Sequence, residues 1–232
     1  MTIFTPDELT TIQLSLKVSA WATLVSLPPG IAVAWVLARR EFPGKWLLDV
    51  LIHLPLVMPP VVTGYLLLMA FGRQGPLGIW LETTLGFTFA FNWTGAALAC
   101  GIMGFPLLVR SVRLSIESVD RGLEQAANTL GANPAWVVVR VTLPLALPGI
   151  LAGAVLCFAK ALGEFGATIT FVSNIPGLTQ TLPGAIYNSI QLPEGEAAAL
   201  RLTGVAIALS MAALLVSEWL TRRLRKREGQ AR

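Results

Sequence analysis

Apolar and polar residues fall along this chain in long blocks. Charge-free windows cover 18–38, 50–72, 83–109, 141–159, 165–193 and 202–217, with short charged or Gly/Pro-bearing stretches between them. A helix needs about 20 apolar residues to cross the hydrocarbon core, so the pattern predicts membrane spans. The first is 18–38, closed by Arg39-Arg40, with a kink predicted at Pro28-Pro29-Gly30. After a turn at Pro43-Gly44, a second span covers 46–71 and carries a break from Pro55 to Pro59-Pro60. Segment 72–82 reads as a loop, and 86–93, rich in Phe87, Phe89, Phe91 and Trp93, reads as interfacial. The third span is 94–112, the fourth begins near 145 and reaches 164–167, and the last covers 202–220. Window 165–193 is interrupted by Gly166, Asn174, Pro176-Gly177, Pro183-Gly184 and Asn188. Irregular backbone does not face lipid, so this segment is expected outside the membrane or packed against protein. The fold class is an all-α membrane protein of five spans, or six if 165–193 hides another.

Composition agrees. Of 232 residues, 54% are hydrophobic and 13% charged, with a mean hydropathy of +0.68; soluble domains carry about 25% charged residues. A cytosolic enzyme and a disordered chain are both excluded. No connecting segment has room for a nucleotide-binding or catalytic domain. Cys100 and Cys157 lie in apolar windows and read as small buried hydrophobes. The first 17 residues lack the basic stretch of a signal peptide, so the first apolar run reads as a retained span. The net charge of +4 is unevenly placed. With five spans, segments 39–45, 110–140 and 222–232 share one side and hold 13 of the 17 basic residues, leaving Lys17, Arg73, Lys160 and Arg201 elsewhere. Positive-inside bias then puts the N-terminus outside and the C-terminus in the cytoplasm. The reading divides the chain into an extracytoplasmic segment 1–11, a membrane domain 12–220 and a basic tail 221–232, whose arginines suit anionic headgroups. Charge placed in this way points to lipid, not to nucleic acid.

The longest polar stretch has its own local code. Asp120 is placed to cap a helix in which Leu123, Ala126, Ala127 and Leu130 recur at i, i+3, i+4, i+7. Gly131 suits the left-handed residue after a helix end. Asn133 then caps a second helix with Pro134 at its first position. Taken by itself, this is a compact amphipathic unit, equally suited to resting on headgroups.

Its spacing resembles a family signature. Gln125-Ala126-Ala127, three residues, Gly131, nine residues, then Val141-Thr142-Leu143-Pro144 is similar to the Glu-Ala-Ala loop of ABC importer permeases. Gln125 stands where the family has glutamate, with Glu124 beside it, and Val141 stands for isoleucine. The resemblance implies a type I importer permease fold. It also implies that loop 113–144 carries a coupling helix, with Glu124, Gln125, Ala126, Ala127 and Gly131 meeting an ATPase subunit. Longer stretches narrow the likeness: Leu54-Pro55 to Tyr65 and Gly163-Glu164-Phe165-Gly166 to Gly177 resemble the molybdate-type permeases. Sulfate/thiosulfate and tungstate permeases share the scaffold. The implied partners are two ATP-binding subunits, which hold ATP and Mg, an extracytoplasmic molybdate-binding protein, and a second copy of the chain in a bacterial inner membrane. No cofactor is expected in this chain, which has no Gly-x4-Gly-Lys-Ser/Thr loop for phosphate.

A tetrahedral dianion needs donors along its path. Thr63, Thr168, Thr170 and Ser173 are candidates, although threonines in such segments more often bond their own helix carbonyls. Lys160 and Glu164, four apart on one face, are candidates for the path or gate because ionisable residues in membranes are functional by default; a pair fixing helix packing is the more ordinary reading. His53 reads as a packing residue. Two rivals remain in view. An intramembrane enzyme lacks a His/Asp cluster, a Gly-x-Ser-x-Gly elbow and metal-ligand spacing, and an ion-coupled carrier of the same anion would need no ATPase.

Overall fold

The computed structural model describes residues 4–229, excluding the side chains of Ser217 and of residues 220–229. The expectation for the basic tail 221–232 therefore lies outside the described side chains. Every regular element among the described residues is helical.

Helix α1 (Pro6–Arg39) opens with a reciprocal cap in which Thr5 accepts from the Glu8 N–H and Glu8 accepts from the Thr5 N–H. At 34 residues it is about 51 Å long, so the span expected at 18–38 is only its second part. It continues as one helix through Pro28 and Pro29. Its buried stripe is small and polar, including Thr11, Ser15, Ser19, Ala22, Ser26 and Gly30. Ser15 and Thr23 donate to carbonyls one turn back, at 2.8 Å each, which lets hydroxyls lie buried against another helix.

The second predicted span is two helices. Helix α2 (Lys45–Val57) and helix α3 (Pro60–Phe71) meet at 112° across Met58-Pro59. Pro60 cannot continue the hydrogen-bond ladder, and Pro59 restricts Met58 to extended backbone (φ −71°, ψ 145°). The two together still cross the bundle. Asp49 on α2 meets Arg113 near one end of helix α5 (Trp93–Glu117), and Phe71 meets Phe89 beyond its other end.

Segment 72–82, expected as a loop, contains most of helix α4 (Pro76–Leu85). Pro76 at its first turn and left-handed Gly86 at its end are the local bounds that glycine and charge content obscured. The aromatic stretch beyond it stacks edge-on, Phe71 on Phe89 and Phe87 on Phe89, and Lys17 of α1 lies 3.7 Å from the Trp93 ring.

Helix α5 is the central wall, packed by α1, α2, α3 and two helices that follow it. Helix α6 (Arg121–Thr129) and an arm at 134–145 follow it. That arm comprises α7 (Pro134–Val137), a π-helical turn (Val138–Thr142) and α8 (Leu143–Leu145). It meets helix α9 (Leu147–Leu162) at 71°. The fourth span is shorter than expected, since it stops at Gly163 and resumes as α10 (Gly166–Val172). Window 165–193 holds α10, packed on α3 and α5, and α11 (Leu182–Ser189), packed on α12 (Glu196–Gly229). Neither is long enough to span. Among the described residues, three helices have the length and apolarity to cross, and each of the two bent pairs counted as one span gives five.

Small residues set the spacing. A Cβ on Gly104 of α5 would lie 2.7 Å from Cys157 Sγ, and one on Gly64 of α3 would lie 2.5 Å from the Ala167 carbonyl oxygen of α10. Both cysteines are free and buried, Cys100 lying 3.5 Å from the Ala161 carbonyl. Gly64→Ala is therefore expected to lower stability by about 1–3 kcal/mol through overpacking, read as a melting temperature in detergent lower by at least about 2 °C. Gly204→Ala on α12, where a new Cβ meets nothing within 4 Å, should leave melting unchanged; equal losses at both positions would contradict this account of the α3–α10 contact.

Candidate functional site

Two places collect the candidate residues, one at each kind of irregularity in the fold. The first is the polar loop. Asp120 accepts from the Gly122 N–H at 2.8 Å and starts α6; Asn133 accepts from the Ala135 N–H at 3.0 Å and starts the arm. Gly131 between them has φ +83°, as a left-handed turn residue requires. The local code of the loop is thus realised residue by residue.

Its faces divide in a way that spacing alone did not reveal. Gln125 and Ala126 are exposed, Ala127 is half-buried, and Leu123 and Leu130 stand 50% and 88% exposed. Glu124, grouped with them from the sequence, points the other way. Its Oε1 accepts from Arg39 Nη2 at 3.0 Å and from Thr142 Oγ1 at 2.7 Å. Arg39 and Thr142 were not among the sequence candidates. They lie 85 and 18 residues from Glu124, and no local pattern marks such a contact. Beside this cluster, Arg113 links Asp49 and Glu117, and the Lys45 ammonium bonded to Glu41 holds that carboxyl below the usual carboxylate range. His53 Nδ1 lies 2.8 Å from the Asp49 carbonyl oxygen of its own helix, in keeping with a packing role.

The second place is where the two helix breaks meet. A Cβ on Gly166, the first residue of α10, would lie 2.8 Å from Pro60 Cβ, so the α2–α3 break and the α9–α10 break are side by side. Lys160 Nζ donates to Glu164 Oε2 at 2.6 Å, while Glu164 Oε1 accepts from the Ala167 N–H at 3.0 Å. Glu164 is 1% exposed at its side chain and Lys160 30%. One carboxylate therefore joins the end of α9 to the start of α10. This is the packing reading of the pair, with the charged groups satisfied by each other and by backbone.

Thr168 donates to the Phe165 carbonyl at 2.9 Å and Thr170 to the Gly166 carbonyl at 2.8 Å. Ser173 is exposed with φ +66°, and its carbonyl accepts from Thr179 Oγ1. Asn174 then ties this turn to α11 through the Gly184 carbonyl and Asn188. Thr63 differs: it is buried beside Gly64 at the α3–α10 contact, and its hydroxyl has no partner. A separate cavity of about 700 Å³ between α1, α2 and α5 is walled by Trp21, Leu51, Phe89 and Trp93 and is nearly all apolar. It offers a dianion almost nothing to bind.

The backbone arrangement is that of a type I ABC importer permease. It superimposes on a chain of a bacterial alginate ABC transporter crystallised with a pentasaccharide-bound periplasmic protein (TM-score 0.74, 16% identity), covering 95% of this chain and 80% of that one. A chain of the MetNI methionine ABC transporter in an inward-facing conformation matches at TM-score 0.68 and 14% identity, over 94% of both. Residues 30–226 match the family model for the binding-protein-dependent transport system inner membrane component, and the chain belongs to that family. It is accordingly a multi-pass inner-membrane transport component.

Within the family, it is 58% identical to the molybdenum transport system permease protein ModB of Escherichia coli strain K12, over 98% of this chain and all of the relative. It is 56% identical to the protein of the same description from Haemophilus influenzae, over 96% of this chain and 97% of that one. The sulfate transport system permease protein CysW of Synechococcus elongatus is 38% identical over 88% of this chain and 74% of its own length.

The buried pair makes a direct prediction. Lys160→Met leaves the Glu164 carboxylate without its cation and should destabilise the protein by about 3 kcal/mol, the low end for a broken buried pair because Lys160 still reaches water. Adding Glu164→Gln should recover most of the melting temperature lost in detergent. A double variant as unstable as Lys160→Met alone would contradict the pairing.

Proposed function

We propose that this chain is the permease subunit of an ABC importer that moves molybdate across the inner membrane. The reading is carried by similarity to a relative described as a molybdenum permease, 58% identical over 98% of this chain. The geometry supports it through α6, which exposes Leu123, Gln125 and Ala126 outward, with Leu130 just past its end, while Glu124 fastens its inward face to the bundle. Such a face suits a helix-in-groove contact, and the proposed occupant is a separate ATPase subunit that holds ATP and Mg. Loop 113–144 is the coupling loop, with Gln125, Ala126, Ala127 and Gly131 presented to that subunit.

In this reading two copies of the chain face one another, two ATPase subunits sit beneath them, and an extracytoplasmic molybdate-binding protein docks on the opposite face. The N-terminal segment 1–11 lies outside, 12–220 forms the membrane domain, and the tail 221–232 lies in the cytoplasm on the lipid surface. Transport is by alternating access. ATP binding draws the two coupling helices together, the membrane halves tilt outward, the binding protein releases its anion, and hydrolysis restores the inward-open state.

The anion passes the paired helix breaks. Irregular backbone inside a membrane is tolerated where it is covered by protein or lines a watery cavity, and the α2–α3 and α9–α10 breaks share one place. Lys160 and Glu164 fix its shape, Thr168, Thr170 and Ser173 belong to its wall, and Thr63 supplies a hydroxyl free to donate. Sulfate is the second reading, favoured by the 38% identity to a sulfate permease.

The test reconstitutes the chain with its ATPase in vesicles and adds binding protein loaded with molybdate, tungstate or sulfate. Molybdate should stimulate both ATP hydrolysis and uptake; stimulation by sulfate alone would overturn the substrate, and gradient-driven uptake without an ATPase would overturn the class. Thr63→Val should slow molybdate uptake roughly tenfold, the worth of one hydrogen bond to a charged group, with ATPase association retained. Unchanged uptake would remove Thr63 from the path.

A further inference from the structure

Glu124 has more partners than a docking carboxylate should. Its Oε1 alone accepts three bonds: from Arg39 Nε at 3.2 Å, from Arg39 Nη2 at 3.0 Å and from Thr142 Oγ1 at 2.7 Å. Arg39 Nη2 also donates to the Val119 carbonyl at 3.1 Å. The four groups come from four pieces of the fold: the last residue of α1, the link between α5 and α6, α6 itself, and the π-helical turn of the arm. Arg39 and Glu124 are 8% and 16% exposed at their side chains, and Thr142 is fully buried. Charge-assisted bonds sheltered to this degree are stronger and less salt-sensitive than surface ion pairs.

The π turn belongs to the same construction. It is closed by the Leu143 N–H bonding the Val138 carbonyl, five residues back. The extra residue in that turn shifts the helical phase by about 100° and so sets where Thr142 falls around the arm. Meanwhile the opposite face of α6 is open, with Leu123 and Leu130 bare and Gln125 and Ala126 exposed. Helix α6 is held by one face and offered by the other.

We infer that Arg39, Glu124 and Thr142 form a transmission clamp: positioning residues that tie α6 to α1 and to the arm of α9, so that a push on α6 moves both together. In this chain the Glu124 carboxylate, one residue before Gln125-Ala126-Ala127, is turned into the membrane protein, and docking falls to Gln125, Ala126 and the leucines. The inference rests on the proposed ABC importer function. A displacement of α6 by an ATPase would reach the central bundle along two routes. One runs through Arg39 into α1, which packs along α5; the other runs through Thr142 into the arm and on to α9, which also packs on α5. Without the clamp, α6 can follow the ATPase while the bundle stays where it is.

The test measures oxyanion uptake and ATP hydrolysis in the same vesicles, using the complete complex and whichever of molybdate, tungstate or sulfate drives wild-type uptake. Arg39→Gln, Glu124→Gln and Thr142→Val should each lower the number of anions moved per ATP by at least about fivefold, the lower end of coupling energies between sites. Arg39→Gln should still copurify with the ATPase. Thr142→Ser, which keeps the hydroxyl, should keep the wild-type ratio. Because the residues act as one unit, Arg39→Gln/Glu124→Gln should be no worse than its weaker parent. Misfolding lowers uptake and hydrolysis together and leaves the ratio unmoved, so the ratio separates positioning from simple damage. The clamp is overturned if the three variants keep the wild-type ratio, if the Arg39 and Glu124 losses multiply, or if Glu124→Gln alone loses the ATPase. A wild-type complex that moves none of the three anions overturns the functional reading and the clamp with it; a working wild type with unchanged variants overturns the clamp alone.

Discussion

Hydrocarbon cannot hydrogen-bond a peptide group, so a break in a membrane helix survives only where other protein covers it or water reaches it. Two such breaks among the described residues, at Met58-Pro59 and at Gly163 to Phe165, are placed against each other by the fold. Gly64 and Gly166 allow α3 and α10 to approach until backbone meets backbone. The Ala167 N–H, which a helix start leaves without an intrahelical partner, is taken up by Glu164, and the charge this buries is balanced by Lys160. Helix α5 backs the arrangement from behind, with Leu67, Ala96, Phe171 and Val172 sharing one buried cluster. The rest of the bundle keeps this junction in place.

Polar groups tie the bundle at both of its ends. At one end Glu8 of α1 pairs with Arg201 of α12 at 2.7 Å, Ser15 accepts from the Leu182 N–H at 2.7 Å, and Lys17 sits on Trp93. At the other, Arg113 holds Asp49 and Arg39 holds Glu124. The apolar interior supplies little direction between helices, because lipid is as apolar as leucine. These few charged contacts, together with the small residues on α1, α5 and α9, decide which helix lies beside which. They also keep α1 continuous with events at both ends, a property a single 34-residue helix can have and a broken one cannot.

Much of this was legible in the residues. The charge-free windows located the crossings, and the caps at Asp120, Gly131 and Asn133 follow from rules that act over three or four residues. The family likeness rested on the same short spacings. Other features depend on contacts between distant segments. The 72–82 stretch reads as a loop by glycine and charge, yet α4 begins at Pro76 inside it. The second span bends by 112° at the break its prolines announce, whereas the fourth, read as continuous to 164–167, is interrupted at Gly163. Thr168 and Thr170 spend their hydroxyls on local carbonyls, while Thr63, of the same residue type, has none to give to. No count of threonines distinguishes these cases.

The sequence by itself determined the medium, where the apolar stretches lie and the local shape of the polar loop. Burial of apolar stretches in lipid and capping of helix ends depend on composition and near neighbours alone. Only the tertiary structure decided that the two breaks share one junction, that Lys160 and Glu164 brace it, and that Glu124 faces inward to Arg39. Those outcomes turn on side chains up to 85 residues apart arriving at one place. In a low-dielectric interior a carboxylate takes the partner that satisfies it, and which partner is within reach is fixed by how the helices pack.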